Sequence, residues 1–141
     1  MSYLLDTNVL SELVRPKPHP SVLAWFAAAP DEALHVSVIT LGELRSGVER
    51  MADGKRRERV RVWLEQTLVD WLGDRALPVS LAVADRWGRL TASVKRPLPA
   101  IDSLLAATAI ANGLRIVTRN VRDFALPGVE VIDPWVTLDA D

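Results

Sequence analysis

The sequence predicts an α/β fold: a central, mostly parallel sheet of four to five strands flanked by helices. Three observations carry this reading. Short apolar runs of strand length alternate with longer segments of helical period from one end of the chain to the other. The run Tyr3-Leu4-Leu5 is apolar at consecutive positions, as a strand covered on both faces of a parallel sheet must be. Hydrophobic residues make up 49% of 141 positions, enough for a sizeable core in one domain over residues 1–141.

Each element has its own local reason. After the first strand, Asp6-Thr7-Asn8 offers three N-cap residues, and Val9, Leu10, Leu13 and Val14 follow at helical spacing until Pro16 and Pro18 stop the helix. Pro20 suits the first position of a second helix that carries Val22, Leu23, Trp25 and Phe26 to Pro30. Residues 33–38 read as the second strand. Thr40 is expected to cap the next helix, with Glu43 at capping-box distance and Leu41, Leu44, Val48 and Met51 as its stripe. Asp53-Gly54 breaks it. A helix is expected from Lys55 to Leu72, a weak strand at Leu77-Pro78-Val79, and a helix from the cap Ser80 to about Val94. The segment Ala100 to Asn112 is nearly apolar all round and so is expected to be buried, with Gly113 as its C′ residue. Strands are expected at residues 115–118 and 129–132, with a turn or short helix from Asn120 to Phe124 between them. Residues 136–141 are expected to fray.

Composition excludes several chemistries. The chain has no cysteine and only two histidines, His19 and His35, which rules out thiolate and imidazole-built metal sites, disulfides and a thiol nucleophile. A formal net charge of −1 is too low for a protein that holds nucleic acid by overall charge. The start of the chain does not resemble a secretory signal and no uncharged stretch approaches membrane-spanning length, so a soluble, cytoplasmic protein is expected. Phosphate-cradling glycine loops are missing.

Four acids stand out. In an open α/β sheet, ligands bind beyond the carboxyl ends of the strands. Asp6 lies there after the first strand, and Asp123 follows the strand that ends at Thr118. Glu43 lies near the start of the helix after the second strand, and Asp102 lies in the first turn of the apolar helix. Singly, each has an ordinary explanation as a cap, a dipole partner or a surface charge. Together they suit one purpose, because clustered carboxylates repel unless a cation lies between them. An all-oxygen set favours Mg²⁺ or Mn²⁺, which can clamp a phosphate and activate water.

These residues also carry a resemblance. Leu4-Leu5-Asp6-Thr7-Asn8-Val9-Leu10 and residues 37–47, with Thr40, Glu43 and Arg45, resemble the first two motifs of PIN-domain ribonucleases. Residues 98–109 around Asp102 and residues 118–124 around Asp123 resemble the third and fourth, in matching order along nearly the whole chain. The nearest resemblance is to VapC-type toxins of bacterial toxin–antitoxin pairs, in particular the FitB-like branch. It implies a PIN fold, a Mg²⁺- or Mn²⁺-dependent endoribonuclease leaving 5′-phosphate and 3′-hydroxyl ends, an RNA substrate, a DNA-binding antitoxin and a homodimer. It also implies that Asp6, Glu43, Asp102 and Asp123 are the catalytic, metal-holding set. Asn8, Thr40, Arg45, Thr118 and Asn120 would be supporting or substrate-binding groups.

Two other readings compete. A haloacid-dehalogenase-like phosphatase would use Asp6 as a strand-end nucleophile, but wants a second acid where Asn8 stands. An α/β interaction module would leave the carboxylates as caps and surface charge. The basic run Lys55, Arg56, Arg57, Arg59 and Arg61 is interleaved with Glu58 and followed by Glu65, which favours a solvated helix face over an RNA track. Arg119 and Arg122, like Arg45, flank the acidic motifs and are candidates for phosphate contact. The five tryptophans lie mostly at apolar helical positions and suit core or subunit contacts.

Overall fold

The computed structural model describes residues 1–136. Apart from Val136, the tail expected to fray lies outside the described residues. Strand β1 (Tyr3–Leu5) is central in a five-stranded sheet of order β3-β2-β1-β4-β5. Its partners are β2 (Leu34–Ser37), β3 (Ala76–Leu77), β4 (Arg115–Val117) and β5 (Val131–Ile132). Every pairing is parallel; Leu4 stands opposite both His35 and Ile116. The chain adds β2 and β3 on one side of β1, then crosses to add β4 and β5 on the other. The switch point therefore falls between β1 and β4 at their carboxyl ends, where ligands of open α/β sheets bind.

Period-two alternation sorts the side chains into two cores. Leu5 and Val117 face one, with Val9 and Leu10 of α1 (Thr7–Leu13), Leu44 and Val48 of α3 (Val38–Arg50), and Leu64, Leu68 and Leu72. Leu4 and Ile116 face the other, with Leu90 of α6 (Leu81–Ser93), Leu105, Ala106 and Ala109 of α7 (Ala100–Asn112), and Phe124. The sheet is thus sandwiched between helical layers. The small residues Ala106, Ala107 and Ala109 let α7 lie close to its neighbours, and each is at most 1% exposed.

Several elements follow their local signals closely. Pro20 opens α2 (Pro20–Ala28), Ser80 accepts from the Val83 amide, and Gly113 ends α7 at φ 66°, a left-handed conformation costly for a residue with a Cβ. Others differ. Ser37 caps α3 by accepting from the Ile39 amide, so Thr40 lies a turn inside the helix and no capping box with Glu43 forms. The helix begins directly after the last residue of β2. The segment from Lys55 to Leu72 is helical throughout but passes through a π turn at Trp63–Leu68 between α4 (Lys55–Val62) and α5 (Val69–Leu72). The wider turn keeps Leu64 and Leu68 on the core while Trp63 and Trp71 pack beside them. Strand β3 lies at Ala76–Leu77 and not at residues 77–79, because Pro78 has no N–H to give to a ladder, and β4 and β5 are shorter than the runs 115–118 and 129–132. Among the described residues no helix is long and apolar enough to cross a membrane.

Candidate active site

Asp6 is the residue at which β1 ends and α1 begins, directly at the switch point. Its backbone amide still donates to the Val117 carbonyl at 3.0 Å, while its side chain already caps α1, accepting from the Thr7 amide at 2.8 Å. The second carboxylate oxygen accepts from the Thr118 hydroxyl at 2.8 Å and the Asn8 amide at 3.3 Å. Thr118, fully buried, accepts in turn from Asn8 Nδ2 at 3.2 Å and the Asn120 amide at 3.0 Å. Asn8 closes the set by accepting from the Arg119 amide at 3.2 Å. The β1 and β4 exits are thus tied by side-chain bonds beyond the last sheet pairing, and the Asp6 carboxylate has one orientation.

Thr118→Val, nearly isosteric, should therefore destabilise the protein by about 1–3 kcal/mol in denaturant titration, the cost of leaving buried polar groups unpaired. Thr118→Ser, which keeps the hydroxyl, should recover most of it. Equal stability of the two variants would show that the hydroxyl network contributes little.

Glu43 projects from α3, one turn past Thr40, and accepts from the Thr7 hydroxyl at 2.6 Å. Thr7 thereby bridges α1 and α3, a part not anticipated from the sequence, although it stands between Asp6 and Asn8. Asp102 is in the first turn of α7, placed by its neighbour: Trp87 Nε1 on α6 donates to Ser103 Oγ at 2.9 Å, and that hydroxyl donates to the Ala100 carbonyl at 3.0 Å. Asp123 sits exposed on a 3₁₀ turn (Val121–Phe124) that the buried Phe124 anchors in the second core.

The acids lie near enough for Asp6 and Asp102 to feel the charges of others in the set. Burial pushes the Asp6 carboxyl above the ordinary aspartate range, its bonds from Thr118 and Thr7 oppose this, and the charge on Asp123 adds to the rise. Asp102 is also raised, by partial burial first and then by Asp123, Asp6 and Glu43, so it feels all three of the other acids. Yet among the described residues no three acidic or imidazole side chains are already gathered as ligands around one point. Asp6 and Glu43 are held by hydrogen bonds, whereas the Asp102 and Asp123 side chains have none among the described residues and are free to turn. A set of hard oxygen donors of like charge is chemically suited to a divalent cation.

The supporting candidates divide. Asn8, Thr118 and the Asn120 backbone join the Asp6 network. Thr40 is fully buried in α3, its hydroxyl without a hydrogen-bond partner among the described residues. Arg45 turns from the acids to Glu65 at 2.7 Å.

The domain defined by this sheet order and carboxylate-lined switch point matches the PIN domain family over residues 3–127, and the chain belongs to that family. It is similar to the VapC ribonuclease Y4jK of Sinorhizobium fredii, 38% identical over 94% of this chain and 96% of the relative. It is also similar to the toxin FitB of Neisseria gonorrhoeae, 36% identical over 94% and 97% of the two chains. A crystal structure of FitAcB from Neisseria gonorrhoeae superposes with a TM-score of 0.86 at 34% identity, covering 94% of this chain and 98% of that one.

Proposed function

We propose that this protein is the toxin of a bacterial toxin–antitoxin pair and that it hydrolyses RNA phosphodiester bonds with the help of Mg²⁺ or Mn²⁺. The observation that carries the reading is Asp6 held at the switch point of a PIN-domain sheet, with Glu43 tied beside it through Thr7 and Asp102 within reach of the charges of Asp123, Asp6 and Glu43. The similarity to a VapC ribonuclease and to toxin FitB over nearly the full length of each supports it.

Those four acids are the residues that would hold a divalent ion, which when bound supplies positive charge and Lewis acidity at a phosphodiester. The chain's own part is positional. Thr118, Asn8 and the Thr7 amide hold the Asp6 carboxylate, and the Thr7 hydroxyl holds Glu43. Asp102 and Asp123, without such bonds, can adjust as substrate enters. Like-charged carboxylates repel bare phosphate, so RNA binding and metal loading are coupled. The partners in this reading are RNA, a cognate DNA-binding antitoxin and a second copy of the chain. An apolar depression of about 360 Å³ lined by Leu10, Leu13, Phe26, Trp63, Leu68 and Trp71 supports a protein partner. The phosphatase alternative finds no support, since the residue two beyond Asp6 is Asn8, committed to Asp6 and Thr118.

The test is incubation of purified protein with structured and unstructured RNA in Mn²⁺, in Mg²⁺ and in EDTA. Cleavage in metal and none in EDTA is expected; cleavage undiminished by EDTA, or none in either metal, would end the reading.

A further inference from the structure

A cleft of about 540 Å³ opens from the acidic site, with Thr7, Asn8 and Glu43 in its wall, and runs beside α1 to Arg15, Arg56 and Trp63. Along α1 this is ~12 Å, by the helical rise from Thr7 to Arg15. A second depression of about 230 Å³ shares Arg15 and Arg56 and adds Arg59, so the two form one path. The walls carry a particular selection of the basic residues. On α4, Arg57 is paired with Glu49 at 2.5 Å, and Arg61 with Glu58 and with Glu65 at 2.8 Å. Arg56 and Arg59, on the face that lines the path, have no ion pair or hydrogen bond among the described residues and are exposed. Arg15 is steadied by the buried Glu12 at 3.2 Å while its side chain remains 59% exposed. Near the acids, Arg119 stacks on Trp135 with 5.2 Å to the ring centroid, and both line the cleft, as does Trp63.

Resting on the ribonuclease reading, we propose that this path is the track of a single RNA strand leading away from the scissile phosphate, with Arg15, Arg56 and Arg59 as phosphate contacts and Trp63 and Trp135 as stacking surfaces. Exposed guanidinium groups suit a phosphate backbone, and indole faces suit unstacked bases, whereas an acidic peptide would use the cations alone. The basic run of α4 is thereby divided. One face is neutralised by its own glutamates, and the other is kept for an anion. Local charge of this kind also answers the net charge of −1.

The experiment compares Arg56→Gln/Arg59→Gln with Arg57→Gln/Arg61→Gln, two pairs of equal charge, the first exposed and the second half-buried in its own ion pairs. The probe is a fluorescein-labelled 12-nucleotide oligouridylate, read by anisotropy in EDTA over a salt series. The first pair should weaken binding about tenfold and lower the slope of log affinity against log salt by ~1.4, about 0.7 per phosphate contact on a single strand. The second pair should change neither. Equal losses in both pairs, or no loss in the first, would overturn the track. A 12-residue oligoglutamate that outcompetes the oligouridylate on the unsubstituted protein would assign the cleft to an acidic protein segment and likewise overturn it. Failure here with RNA cleavage intact leaves the ribonuclease reading standing. Loss of binding in the first pair only, with no cleavage in either metal, keeps the track and removes that reading.

Discussion

Asp6→Asn and Asp102→Asn should each reduce Mn²⁺-dependent RNA cleavage by roughly 10³-fold or more, at least the loss seen when one group that stabilises transition-state charge is removed. Both substitutions keep size and remove charge, and the two sites report differently on folding. Asn at position 6 can still accept from the Thr7 amide, but its NH₂ group meets either the Thr118 hydroxyl or the Asn8 amide, so some stability is lost too. Asn at position 102 breaks no hydrogen bond among the described residues. A cleavage defect in a well-folded Asp102→Asn protein is therefore the cleaner evidence. Full activity in either folded variant would remove that acid from the catalytic set.

The metal-free protein should show the opposite order in stability. Asp102 is held above its ordinary pKa of 3.8 by partial burial and by the charges of Asp123, Asp6 and Glu43. Folding therefore disfavours the ionised form. An acid whose folded pKa is raised makes the native state bind more protons than the unfolded one. Stability then falls as pH rises from the ordinary value through the raised one, and the deficit persists above it. At neutral pH in EDTA, Asp102→Asn should melt above the unsubstituted protein, by a few degrees at most because the partly exposed carboxylate is screened by water. The gain should vanish well below pH 3.8, where the acid is protonated in both states. The lost favourable contact with the α7 N-terminus opposes it, but that contact is a surface effect screened by water. Asp6→Asn should melt lower, because its carboxylate is the buried end of a hydrogen-bonded network.

Adding Mn²⁺ at a hundredfold excess over its Kd should raise the stability of the unsubstituted protein by about 2.7 kcal/mol, and that of Asp102→Asn much less. Differential scanning calorimetry of the proteins with EDTA and with Mn²⁺ decides the matter. Destabilisation of Asp102→Asn in EDTA, together with no response to Mn²⁺ in any variant, would leave the acids as unrelated caps and surface charges.

How much of this was legible before folding depends on the range of the interactions involved. The ends of α7 are set by residues next to them, Pro99 before and Gly113 after, and were readable to the residue. The α3 start was not. Ser37 and Thr40 are both capable caps, and the choice fell to Ser37 because β2 ends there, a fact of strand pairing rather than of local sequence. The π turn at Trp63–Leu68 was likewise invisible, because apolar spacing alone does not distinguish a widened turn from regular helix.

The candidate site divides in the same way. The sequence alone determined the α/β class, the four acids, the exclusion of thiolate and imidazole chemistry, and the resemblance to PIN-domain ribonucleases. These rest on composition, on hydrophobic period and on short motifs, which are properties of the chain itself. Only the tertiary structure decided that Asp6 shares a hydroxyl network with Thr118, 112 positions away, and that Thr7 holds Glu43. It also decided that Arg45 serves Glu65 while Arg56 and Arg59 stand along the cleft without a partner among the described residues. An arginine's partner is whichever acid the packed helices bring within reach of a long, flexible side chain. That is a distance between elements, and no spacing along the chain encodes it.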